Sequence, residues 1–250
     1  MRQHLSMRSG NPALRAETFR GVRAGHGEAA MTIAGTVNKT AIGLAILITT
    51  ASYTWTLGPQ DPALTTWIMG GAIGGLIAAL VTVFRKHWAG ITTPLYAALQ
   101  GLALGGISVV FEARYPGIVS QAIFLTFGTL AALLMAYRSG LIKATENFKL
   151  GIVAATGGIF FIYLIGFVLS FFGVSIPLIH GSGPVGILFS LVVVTIAALN
   201  LVLDFDFIEM GAERGAPKYM EWYGAFGLLV TLVWLYLELL RLLAKLQGRR

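Results

Sequence analysis

Seven long apolar runs dominate this chain, at residues 41–57, 64–84, 92–111, 118–136, 150–172, 185–207 and 223–243. Each holds about 20 residues, the length a helix needs to cross a hydrocarbon core of about 30 Å. Inside a bilayer every backbone N–H and C=O must find its partner within the protein, which leaves helices and closed barrels. Barrel strands alternate apolar and polar residues. These runs are apolar on every face, so they are helices. The sequence therefore predicts an all-α integral membrane protein, a seven-transmembrane-helix bundle at 38–246. A flexible, basic N-terminal tail at 1–37 precedes it and a short basic tail at 247–250 follows.

Composition agrees. Of 250 residues, 56% are hydrophobic and 12% charged, about half the charge of a soluble domain. So few charges cannot coat a water-facing surface, and lipid is the expected partner of the outer face. The chain has no cysteine, which excludes disulfides and thiolate metal sites. The four histidines, His4, His26, His87 and His180, are scattered. No HExxH, GxSxG or Walker A pattern occurs, so the sequence points away from an enzyme and toward no cofactor and no resident metal.

The net charge is +7. No basic patch with interleaved aromatics is present, so nucleic acid is not an expected partner. The basic residues gather at run ends and in the tail, as the positive-inside rule and anionic headgroups favour. With the N-terminus in the cytoplasm, the inner side receives Arg2, Arg8, Arg15, Arg20, Arg23, Lys39, Arg85, Lys86, Arg138, Lys143, Lys149, Arg214 and Lys218. The outer loops receive Arg114. Arg241, Lys245, Arg249 and Arg250 fall outside if the last run spans fully, the favoured reading, and inside if it is re-entrant. The Arg-rich tail lacks the apolar stretch of a secretory signal. Its acidic, Gly and Pro residues favour a cytoplasmic tail over an organelle transit segment.

Turn chemistry separates the runs at Gly58-Pro59-Gln60-Asp61-Pro62, Tyr115-Pro116-Gly117 and Gly181-Ser182-Gly183-Pro184. Two overlapping GxxxG pairs, Gly70/Gly74 and Gly71/Gly75, lie on the second run and Gly101/Gly105 on the third. Small residues let helices approach closely in lipid. The spacing predicts tight packing without naming the partner.

Ionisable groups within membrane helices cost several kcal/mol and are functional candidates by default. The densest set is Asn200-Leu201-Val202-Leu203-Asp204-Phe205-Asp206-Phe207-Ile208-Glu209. At about 100° per residue, Asp204 and Asp206 point to nearly opposite sides. Asn200 and Asp204 share a face at i, i+4, and Asp206 shares one with Glu209. Asn200 and Asp204 thus form the better interior stripe, as a titratable or cation-attracting site. The bland alternative is a helix end in the headgroup region with solvated acids. On the third run Gln100, Ser108 and Glu112 lie in register, either lining a cavity or bonding to neighbouring helices. On the seventh, Thr231 and Glu238 share a face, and Glu238 with Arg241 has the spacing of a local salt bridge. Arg85 ends the second run and could reach an acid at the inner end of the sixth.

The residues from Met31-Thr32-Ile33-Ala34-Gly35-Thr36 to Leu243 resemble the Bax inhibitor-1 family (transmembrane Bax inhibitor motif proteins), in its bacterial branch. The Asn200–Glu209 stretch carries most of the likeness. With it go Gly215-Ala216-Pro217-Lys218-Tyr219-Met220-Glu221-Trp222-Tyr223-Gly224-Ala225-Phe226-Gly227 and Leu235-Tyr236-Leu237-Glu238-Leu239-Leu240-Arg241-Leu242-Leu243. Pro94-Leu95-Tyr96-Ala97 and Tyr115-Pro116-Gly117-Ile118-Val119 support it.

The resemblance implies six helices around a central one, a bacterial inner (plasma) membrane and a pH-sensitive calcium leak channel. It implies a carboxylate pair on the sixth and seventh helices as proton sensor, with an arginine of the second helix latching the sixth-helix acid. Asp204 matches that acid, and Arg85 matches the latch by location. The seventh-helix acid falls near Thr231, which cannot ionise. Glu238 or Asp206 takes its place, or the pair is missing. Two carboxylates in a low-dielectric site repel, so one of them retains a proton, and protonation biases the bundle between states. Calcium prefers six to eight oxygen ligands; two acids suit passage better than storage.

Two functions follow: a calcium or cation leak, and a non-transporting membrane regulator that binds a membrane protease or stress-response partner. Deleting residues 1–27 abolishes the second and spares the first. The oligomeric state stays open.

Overall fold

The computed structural model describes residues 29–173 and 181–248. Their framework is seven α-helices: α1 (Ile33–Trp55), α2 (Ala63–Phe84), α3 (Ala89–Arg114), α4 (Ile118–Arg138), α5 (Glu146–Ser170), α6 (Pro184–Glu213) and α7 (Met220–Gln247). A short 3₁₀ turn, Lys86–Trp88, joins α2 to α3. The helices run from 21 to 30 residues. At about 1.5 Å per residue the shortest is about 30 Å long. All seven are long and apolar enough to span a membrane. Among the described residues the only extended pairing is the isolated bridge between Ala30 and Pro217.

Local chemistry sets the helix ends. Thr32 caps α1 by accepting the Gly35 N–H, and Thr145 caps α5 by accepting that of Phe148. Asp61 accepts the Ala63 N–H at the start of α2. Pro184 opens α6, where a missing N–H costs nothing. Between α6 and α7, Gly215 takes φ +64° and its N–H bonds back to Ala212. A side chain there would be strained. α1 begins at Ile33 rather than at residue 41, so residues 33–37, assigned to the tail on hydropathy, are helical. The first two turns are too polar to register as an apolar run, and the Thr32 cap starts the helix instead. Most of the basic tail, with Arg2, Arg8, Arg15, Arg20, Arg23, His4 and His26, and likewise His180, Arg249 and Arg250, lie outside the described residues.

The chain divides into two compact units. Among the described residues, one comprises 117–173, 181–205 and 231–248; the other comprises 29–116 and 206–230. In the second unit α3 packs against both α1 and α2. Gly101 and Gly105 face α1, where an added Cβ would run into the carbonyls of Leu47 and Ala51. Gly71 faces α3, with the Leu99 carbonyl 2.5 Å and the Ala103 nitrogen 2.8 Å from where its Cβ would be. Gly70 faces open space. The Gly71/Gly75 pair is thus the packing pair of the two, and its partner lies within the chain. Near the α2–α3 corner the buried hydroxyls of Thr82 and Thr92 bond each other at 2.7 Å.

Burial sorts the helices. In its most apolar window α7 is 61% buried and α3 50%, against 17–22% for α1, α2, α4 and α5. The exposed residues of those four include many large apolar ones, among them Leu76, Ile77, Phe124, Phe160, Phe161 and Phe167. Such a surface is unstable in water and suits acyl chains.

Candidate functional site

The α6 face anticipated from the spacing is enclosed. Asp204 is fully buried and Asn200 nearly so. Asp206 is half-buried and Glu209 exposed. The 100° helical step therefore separates the two aspartates as expected, one inward and one toward the periphery. Asn200 is fixed: its amide donates to Thr156 Oγ1 of α5 at 2.9 Å and to the Ile196 carbonyl at 2.8 Å. Thr156, which sequence reasoning missed, thus ties α5 to the α6 face that carries Asp204. Its only trace in the sequence is a hydroxyl within a largely apolar run. One turn beyond Asn200, Phe205 packs on Tyr137 of α4 at 5.9 Å.

On α7, Thr231 is buried and Glu238 nearly so. Glu238 is not a bare carboxylate. Arg241 donates to both its oxygens at 2.8 and 2.9 Å, and Tyr163 of α5 donates to both at 3.0 and 3.1 Å. The Arg241 guanidinium also contacts the Tyr163 oxygen at 2.7 Å and lies 5.1 Å from that ring's centroid. The i, i+3 salt bridge read from the sequence is present, with Tyr163 as an added third member. One turn on, Lys245 is buried and donates to the Gly186 carbonyl at 3.0 Å and to Ser190 Oγ at 2.8 Å. Glu238, Arg241 and Lys245 thus make a polar seam from α7 to α5 and α6.

The α3 stripe serves packing at two of its positions. Gln100 reaches over Gly75 of α2, and Ser108 Oγ donates to its own helix at Leu104 O, 2.6 Å. Glu112 is half-buried. The Arg114 guanidinium lies over the Tyr115 ring, 5.7 Å from its centroid. Arg85 is exposed at the C-terminal end of α2.

A third buried carboxylate, Glu221, was not singled out from the sequence. It sits in the first turn of α7 and is fully buried. Lys39 of α1 and Lys218 both pair with it. Its only local signal is the i, i+3 spacing to Lys218.

The model of the family described as "Bax inhibitor 1 like" matches residues 11–248. This chain belongs to the Bax inhibitor-1 family. With seven spanning helices it is a multi-pass membrane protein of that family. Comparison with curated proteins and with solved structures found no match. Among the described residues no group of three or more His, Cys, Asp or Glu side chains is placed to hold a metal ion.

Proposed function

We propose that this family member is a pH-sensitive leak for calcium or a related cation in a bacterial plasma membrane, with its N-terminus in the cytoplasm. The observation that carries the reading is Asp204, a carboxylate with no exposed surface on a membrane-spanning helix. Keeping such a group in a bundle costs several kcal/mol, and chains retain it where it acts. Asn200, held by Thr156, fixes the face on which Asp204 lies. A charge at Asp204 favours a cation beside it; protonation removes that attraction and shifts the balance between conformations.

Glu238 already has Arg241 and Tyr163 as partners, and the Thr231 position cannot ionise. On this reading Asp204 acts as the principal titrating acid. Asp206, half-buried on the opposite side of α6, attracts cations near the inner end. The positive-inside distribution of lysine and arginine supports the cytoplasmic N-terminus.

The test is calcium flux into liposomes holding the purified protein, across about pH 5 to 8. Wild-type flux is expected to change severalfold over this range. With Asp204→Asn the profile becomes flat. A profile that Asp204→Asn leaves unchanged removes Asp204 from the sensor. No flux above empty liposomes from folded protein removes the leak and favours the regulator.

A further inference from the structure

The start of α1 and the turn between α6 and α7 are joined in three ways. The first is backbone pairing: the Met31 N–H donates to the Ala216 carbonyl at 2.6 Å, and Ala30 bridges Pro217 in antiparallel fashion. The second is the Glu221 carboxylate. It accepts the Thr32 N–H at 3.0 Å and the Thr32 hydroxyl at 2.9 Å. It also pairs with Lys218 at 2.9 Å and with Lys39. The third is close approach. A Cβ at Gly35 would overlap that carboxylate, and one at Gly224 would lie 3.2 Å from Thr36 Cγ2.

These contacts form one circuit. Thr32 donates its hydroxyl to Glu221 and accepts the Gly35 N–H with the same oxygen. Its own N–H is among the donors that a helix start leaves without an intrahelical partner. Glu221 therefore completes the cap of α1 from α7, 189 positions away in sequence. A negative charge at this end of α1 also suits the helix dipole. Two lysines, a hydroxyl and an N–H all depend on this one carboxylate, so they lose their common partner together.

We propose that Glu221 is the latch of a strap. Residues 29–32 lie closed across the α6–α7 turn while the carboxylate holds them, and the first turns of α1 and α7 then move as one body. Loss of the carboxylate frees the strap. The strap is the point at which a force or partner acting on the N-terminal segment reaches α7. The device stands whether or not the protein conducts ions.

The absence of native cysteine makes the test clean. Paired residues of an antiparallel bridge have Cα atoms about 4.5–5.5 Å apart, within reach of a disulfide. The double variant Ala30→Cys/Pro217→Cys, purified as full chain in detergent, is expected to cross-link rapidly under mild oxidant. Adding Glu221→Gln should slow cross-linking about tenfold, since charge-assisted bonds to three groups are weakened together. In a separate Met31→Cys chain, maleimide labelling at this buried position should rise about tenfold with Glu221→Gln. If Glu221→Gln fails to yield folded protein, Thr32→Val with Lys39→Met carries the test, with a slowing of about threefold expected. Cross-linking and labelling rates that match the parent chain in folded variants overturn the latch.

Discussion

Replacing Gly101 or Gly105 by alanine should destabilise the protein by about 2–3 kcal/mol each, toward the upper end of what overpacking costs. The magnitude follows from what the new methyl group meets. At Gly101 it meets the Leu47 carbonyl and Thr50 Oγ1; at Gly105 it meets the Ala51 carbonyl and Thr54 Oγ1. A side chain could swing away, but a carbonyl of α1 moves only with its helix. α1 and α3 must separate along the seam, and their dispersion contacts weaken with distance. Gly70→Ala is the control: nothing lies within 4 Å of the position its Cβ would take, so its effect should stay within about 0.5 kcal/mol. Gly71→Ala, one residue along, should cost about 1–2 kcal/mol against the α3 backbone. Equilibrium unfolding in mixed micelles measures all four. Equal values for Gly70→Ala and Gly105→Ala would mean that the α1–α3 seam is not this tight.

The second large effect concerns the seam of α7. Arg241→Met should cost about 3 kcal/mol, because it leaves Glu238 charged and enclosed with only the Tyr163 hydroxyl to compensate. Glu238→Gln should cost about 1 kcal/mol. The amide still accepts from Tyr163, and the Arg241 side chain, 38% exposed, keeps a route to water or headgroups. The asymmetry decides the point. A surface ion pair would lose less than about 1 kcal/mol from either side. The double variant Arg241→Met/Glu238→Gln should recover most of the loss, since no carboxylate is then left enclosed without its guanidinium. Thermal unfolding of the three variants checks the order. Equal small losses for both single variants would refute an enclosed pair.

Much of this architecture is local in the sequence and hence readable there. Seven runs of sufficient length predicted seven helices because a bilayer sets one length for all. The opposite settings of Asp204 and Asp206 follow from the helical step, and the Glu238–Arg241 pair from i, i+3 spacing. Contacts made across long separations were not readable. Lys39 and Glu221 are 182 positions apart, and Tyr163 and Glu238 are 75. No spacing rule connects them. Among overlapping GxxxG pairs the spacing cannot say which glycine faces a neighbour, because Gly70 and Gly71 differ only in the direction of a missing side chain. The start of α1 escaped for another reason: Asn38 and Lys39 interrupt the apolar pattern while Thr32 and Glu221 supply the cap.

The seam on α7 also bears on biosynthesis. A lone lysine or arginine near the middle of a helix raises the cost of leaving the translocon by about 3 kcal/mol. α7 carries Glu238, Arg241 and Lys245 and is synthesised after the six other helices. The Glu238–Arg241 pair can form within the helix before any neighbour is met. Lys245 has no such local partner and relies on Gly186 and Ser190 of α6, and Glu238 on Tyr163 of α5. Both helices precede α7 on the ribosome. The order of elements along the chain thus delivers α7 into a bilayer where its polar partners already wait.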